Sequence, residues 1–93
     1  MDKFIKDLNN YNGTKKTLLK ASEEFQELSL IITQRINKPS RVPDSKIIEE
    51  IGDCEIRLAC LKAKFSTKAI NDRVATKKSK LQGMMDSKRY KTI

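Results

Sequence analysis

Histidine and tryptophan are absent from this 93-residue chain, and only five side chains are aromatic. The missing histidines remove the Glu-x-x-His pairs of a di-iron carboxylate bundle. They also argue against zinc, since Cys54 and Cys60, the two cysteines, stand six apart and match no zinc spacing. Glycine is scarce as well: the three present form no G-x-x-x-x-G-K run, which excludes Walker-type phosphate binding. No Asp-x-Asp-x-Asp-Gly run offers a calcium loop. No apolar stretch approaches the ~20 residues of a membrane span, and the start (Met1-Asp2-Lys3-Phe4-Ile5-Lys6) lacks the apolar centre of a secretory signal. Two free thiols suit a reducing cytoplasm, the expected location. So short a chain buries about two-thirds of its unfolded surface. With so few aromatics its core is lean, and self-association into a dimer or tetramer is expected to complete it.

What the chain has is charge, unevenly placed. Residues 1–56 hold nine basic and ten acidic residues, whereas residues 57–93 hold eleven basic and two acidic, accounting for the net +8. A basic C-terminal third implies an anionic partner, be it nucleotide phosphates, a nucleic acid or an acidic protein. Seven of the twelve acids fall in two clusters, Glu23-Glu24-Phe25-Gln26-Glu27 and Glu49-Glu50-Ile51-Gly52-Asp53-Cys54-Glu55.

The periodicity predicts an all-α fold in a single domain spanning 1–93: two long antiparallel helices plus a third, forming a bundle. Residues 1–13 form an N-terminal arm or short helix broken at Asn9-Asn10-Tyr11-Asn12-Gly13, with Thr14 capping the first long helix to about Arg35. Asn37-Lys38-Pro39-Ser40-Arg41-Val42-Pro43 is a loop. Asp44 or Ser45 caps a second helix to about Phe65, Ser66 or Thr67 caps a third to about Met85, and residues 86–93 are expected to fray. Leu18, Ala21, Phe25, Leu28, Ile32 and Ile36 form one stripe, and Ile47, Ile51, Cys54, Leu58, Leu61 and Phe65 another. Glu24 lies ~80° and Glu50 ~60° from the middle of these stripes, with Glu27 and Asp53 further round on the same side. Helices that pack face to face and antiparallel bring same-handed edges together, so all four acids converge on one rim. An end to the first helix near Gln34 would bring the two pairs level; Gly52 reads as a gap left for a neighbouring backbone or a ligand.

Carboxylates gathered in this way repel unless a cation sits among them, and a divalent metal is the natural occupant. The pattern Glu-Glu-x-x-Glu, a gap of 22 residues, then Glu-x-x-Asp resembles the MazG-like all-α nucleoside triphosphate pyrophosphohydrolases, particularly the short forms carried by phages. The likeness covers roughly residues 15–82, and it extends along the second acidic stretch from Ile47 to Leu58. The resemblance implies Mg²⁺, or Mn²⁺ in its place, held by Glu24, Glu27, Glu50 and Asp53. It implies hydrolysis of a (deoxy)nucleoside triphosphate to the monophosphate and pyrophosphate, with Glu23 or Glu27 taking the proton of the attacking water. Lys77 and Lys80 then match a basic pair of the family and fall to the substrate phosphates. A phage-borne member would work in the host cytoplasm, trimming nucleotide pools. The chain departs from the family pattern in being unusually basic and in its third helix being poor in apolar residues (Ile70, Val74, Leu81, Met84). That basicity supports a rival expectation, a non-catalytic helical module that binds nucleic acid or a partner protein. On charge pattern alone the two acidic runs also fit solvated helix turns paired with Lys20 and Arg57.

Overall fold

With two prolines and three glycines to interrupt it, the chain is helical over most of its length. The computed structural model describes residues 2–87. They form three helices, α1 (Asp2–Asn37), α2 (Asp44–Lys62) and α3 (Thr67–Ser87), with a 3₁₀ turn at Pro39–Arg41 between the first two. No strand occurs among the described residues, so the all-α class holds.

Several boundaries differ from the pattern-based expectation. The asparagine-rich stretch Asn9–Asn12 stays helical, and the break is confined to Gly13, at φ 78° and ψ 170°. That region is open to glycine and strained for other residues, so one residue suffices to redirect the helix. At the start of α2 no side chain caps; Pro43 takes the N-cap position, and the Asp44 carboxylate instead accepts from Arg35 at 2.8 Å. The far end of α2 comes at Lys62, where the carbonyls of Leu61 and Lys62 accept from Lys64 and Phe65 in a tightened last turn. By contrast Ser66 caps α3 as expected, its Oγ accepting from the Ala69 amide at 3.1 Å. Asp86 and Ser87 belong to α3, and the remainder of the expected frayed tail, 88–93, lies outside the described residues.

α1 and α2 form an antiparallel hairpin. Lys64 reaches Thr14 at 3.5 Å, the Cys54 thiol meets the Glu24 carbonyl at 3.2 Å, and Arg35 meets Asp44, so positions rise on one helix as they fall on the other. The seam is not the line of largest hydrophobic residues. On α1 it runs through Thr17, Ala21, Glu24, Leu28, Ile31 and Arg35; on α2 it runs through Ile47, Glu50, Cys54, Arg57 and Leu61 and ends at Lys64 just past the helix, all buried or half-buried. Both lines keep the alternating three-and-four spacing of a knobs-into-holes contact. Ala21, Leu28, Ile47, Cys54 and Leu61 of the expected stripes keep their places on this seam, while the remaining positions shift to the preceding residue, so each helix is rotated by about half a position. The small residues Thr17, Ala21 and Cys54 face the partner helix, where they permit close approach. The rotation leaves Leu18, Phe25 and Ile32 of α1 and Ile51 and Leu58 of α2 exposed, with Phe65, just past the end of α2, exposed as well.

The arm before Gly13 crosses the other side of the hairpin. Ile5 is buried, and Asn9 Nδ2 donates to the Cys60 carbonyl at 3.1 Å. The arm thus covers Cys60, which is 1% exposed. α3 leaves the hairpin at its open end with all but Ile70, Leu81 and Met84 exposed, and it does not pack along α1 or α2. The third helix exists as an element, but the described residues build a hairpin with an arm, and α3 does not close a bundle with it. No described helix is long and apolar enough to cross a membrane.

Candidate functional site

Because the seam is rotated, the acids lie closer to its centre than the pattern-based edge position. Glu50 sits on the buried line of α2 and is 5% exposed. Glu24 sits opposite on α1, half-buried, with Glu27 one turn further along at the rim. One carboxylate oxygen from each of Glu24, Glu27 and Glu50 lies within 4.8 Å of the other two. Asp53 follows Glu50 by one turn and is exposed; it stands outside that tight set, yet its charge acts on Glu24.

The levels match although α1 runs on to Asn37 rather than stopping near Gln34. The connection turns back beside the last turn of α1, where Arg35 Nη1 donates to the Val42 carbonyl at 3.1 Å and Val42 is buried. That return sets Asp44 level with Arg35, and so Cys54 level with Glu24.

Electrostatics mark the cluster as short of positive charge. Burial, followed by the charges of Glu27 and Asp53, pushes the Glu24 carboxyl above its ordinary range. Burial and the neighbouring charges of Glu24, Glu50, Asp53 and Glu27 push the Cys54 thiol up too, so it stays protonated and donates to the Glu24 carbonyl. Its role is structural. Lys46 supplies the cluster's nearest cation, with Nζ 3.4 Å from Glu50 Oε1 and 3.8 Å from Glu49 Oε2. Its hydrogen bond to Glu50, then the charge of Glu49, hold the ammonium above its usual range. Two carboxylate oxygens remain buried without a partner, Oε2 of Glu24 and Oε2 of Glu50. Orphaned acceptors of this kind are expensive to keep. A set of hard, anionic oxygens with unspent lone pairs fits a divalent cation such as Mg²⁺, which takes carboxylates and water.

Other expected site residues fall elsewhere. Glu23 is exposed and paired with Lys20 at 3.3 Å, outside the tight set. Lys77 and Lys80 are exposed on α3 and form no ion pair among the described residues. Among the described residues nothing brings them to the carboxylates. Gly52 has open space around it, since an added Cβ would meet no atom within 4 Å. The expected close approach of a backbone is therefore not made within the chain.

Lys46 is the residue that pattern reading passed over. Its signal was available: a lysine four positions before Glu50 stands on the same helix face. A broad groove of about 660 Å³ lies at the open end of the hairpin, bordered by Lys6, Asn9, Lys62 and Lys64. It is separate from the carboxylates. Comparison of the chain with protein-family models, with curated protein sequences and with solved structures finds no match in any of the three.

Proposed function

We propose that the chain is a divalent-cation-dependent nucleotide pyrophosphohydrolase of the MazG-like kind, converting a (deoxy)nucleoside triphosphate to the monophosphate and pyrophosphate. The observation that carries this reading is the placement of Glu24, Glu27 and Glu50 within 4.8 Å on facing helices, with buried oxygens left unpartnered. Solvated helix acids would not be buried on a seam at the expense of apolar packing.

In this reading Glu24, Glu27, Glu50 and Asp53 hold Mg²⁺, with Mn²⁺ able to substitute. The bound cation supplies polarisation of the phosphate chain and a water of lowered pKa. The protein's own part is to fix the carboxylates. Glu50 is immobilised by burial and Glu24 by its position across the seam. Glu27 belongs to the tight set, whereas Glu23 lies outside it at the rim. That leaves Glu23 as the carboxylate to accept the proton of the attacking water.

The exposed apolar line on α1 and α2 is where a second copy would pack, closing the bundle that the hairpin leaves open. The same association offers a route by which α3 of one copy brings Lys77 and Lys80 to the phosphates held at another. Release of pyrophosphate from each of the eight common ribo- and deoxyribonucleoside triphosphates, with and without magnesium, tests the activity. Magnesium-dependent release that disappears in Glu50→Gln and Asp53→Asn is the expected result; no release from any triphosphate would remove the enzymatic reading.

One observation favours the non-catalytic alternative. α3 is exposed along nearly its whole length and carries Lys68, Arg73, Lys77, Lys78 and Lys80 without packing on the hairpin. A helix so placed suits binding to a nucleic acid or an acidic protein surface. Such a module would show salt-sensitive binding lost on neutralising Lys77, Lys78 and Lys80, and indifferent to Glu50→Gln.

A further inference from the structure

Lys46 occupies a position that helix energetics do not recommend. It is the third residue of α2, in the first turn, where the helix dipole favours acids over bases. It also precedes its partner Glu50 by four residues, and lysine before glutamate is the weaker order for such a pair. Its reason for being there lies in what it touches. Nζ stands 3.4 Å from Oε1 of Glu50, a side chain more than nine-tenths buried whose other oxygen, Oε2, has no partner. The stem of Lys46 remains half-exposed, so the ammonium can withdraw into solvent without disturbing the seam.

We propose that Lys46 is a tethered counter-ion of the carboxylate cluster: through Oε1 it partly neutralises Glu50 when no metal is bound, and its ammonium must withdraw when a divalent cation enters among the carboxylates. This inference rests on the metal-site reading above and adds a determinant of the site's affinity. Metal entry exchanges one monovalent contact for a divalent one, and the affinity for the cation is lowered by the strength of the contact given up. The chain thereby keeps a buried carboxylate from standing uncompensated, which would open the seam.

The test is Mn²⁺ binding, followed by isothermal titration and by loss of the free-ion paramagnetic signal, with Mg²⁺ as competitor. Wild type is compared with Lys46→Met, Lys46→Arg and Lys20→Met. Lys20→Met removes one positive charge from the same rim but from a lysine paired with Glu23, outside the tight set. Lys46→Met should bind Mn²⁺ about fivefold more tightly, the scale of a half-exposed pair, with the gain shrinking as salt is raised. Metal-free Lys46→Met should melt at a lower temperature than wild type and gain more on saturation with Mn²⁺. Lys46→Arg should remain near wild type. Unchanged or weaker binding in Lys46→Met, while wild type binds, overturns the counter-ion role alone. An equal gain in Lys20→Met also overturns it, by reducing the effect to net charge. No Mn²⁺ binding by any of the four proteins overturns the metal reading itself and takes the counter-ion with it.

Discussion

Glu50 is where stability and chemistry pull in opposite directions. A carboxylate on the buried line of a two-helix seam replaces an apolar contact, and its one cationic neighbour is half-exposed. Glu50→Gln keeps the shape and removes the buried charge, so metal-free protein carrying it should melt higher than wild type, by the equivalent of about 1 kcal/mol. The same substitution should abolish stabilisation by Mg²⁺ and lower pyrophosphate release by at least about a hundredfold. Thermal melts with and without magnesium, set beside the activity, check both halves. Glu24 adds a pH dependence of defined sign. Its folded-state pKa is raised by burial first and then by Glu27 and Asp53, so between the ordinary value of 4.5 and the raised one the folded protein binds more protons than the unfolded. Its contribution to stability is therefore fully present below 4.5 and is lost as pH rises through the raised value. Protons and metal compete for that oxygen, so divalent affinity should rise with pH across the same window. Calorimetric titrations at a series of pH values measure this, and affinity that falls with rising pH there would contradict it.

At the scale of the element, the two glycines of the long helices make opposite statements. Gly13 adopts a positive φ that lets the arm fold back over Cys60. Gly13→Ala should cost about 1–2 kcal/mol and loosen the arm. Reaction of Cys60 with a thiol reagent, slow in wild type because the side chain is 1% exposed, should then accelerate. Gly52 has ordinary helical backbone and open space, so in the isolated chain Gly52→Ala should stabilise α2 by about 0.5–1 kcal/mol, read as a higher melting temperature. The element scale also shows what the sequence could and could not disclose. Helix number, the Pro39–Pro43 connection, the Ser66 cap and the convergence of Glu24, Glu27 and Glu50 were all legible, because capping chemistry and spacing are local. The rotation of the seam was not. A periodic pattern finds the line richest in large apolar residues, and here that line, Leu18–Phe25–Ile32 with Ile51–Leu58–Phe65, is left in solvent. Part of each expected stripe does reach the seam (Ala21 and Leu28, and Ile47, Cys54 and Leu61), but between them the helices meet through Thr17, Glu24, Glu50 and Arg57, polar residues that a hydrophobic stripe does not count. The level of the two acid pairs was hidden for a related reason, since it depends on a 3₁₀ turn and the Arg35–Asp44 contact, neither of which has a periodic signature.

For the whole molecule, the exposed apolar line is the feature that the single chain leaves unexplained. Measured from the seam, Leu18, Phe25 and Ile32 lie ~60–100° round α1, and Ile51 and Leu58 lie ~70–90° round α2 in the same sense. In an antiparallel pair those directions point to one side, so these five side chains form a strip along one side of the hairpin. The rim acids Glu23 and Glu27 and the rim bases Lys20 and Lys46 lie on the opposite side. A chain that exposes this much apolar surface while α3, among the described residues, does not pack along either helix of the hairpin has the signature of an incomplete core. Pairing two strips face to face would bury them and close a four-helix core around a two-fold axis, with the carboxylate rims turned outward on both sides. Self-association at micromolar concentration is the expected outcome, measured by sedimentation velocity or light scattering. A charge at the centre of the strip, Phe25→Glu or Leu58→Glu, should leave each helix intact yet shift the protein to monomer. The rim substitution Glu23→Gln, on the opposite side, should leave the assembly unchanged. If both strip variants sediment like wild type, the strip is not the contact, and the lean core must be completed by other means.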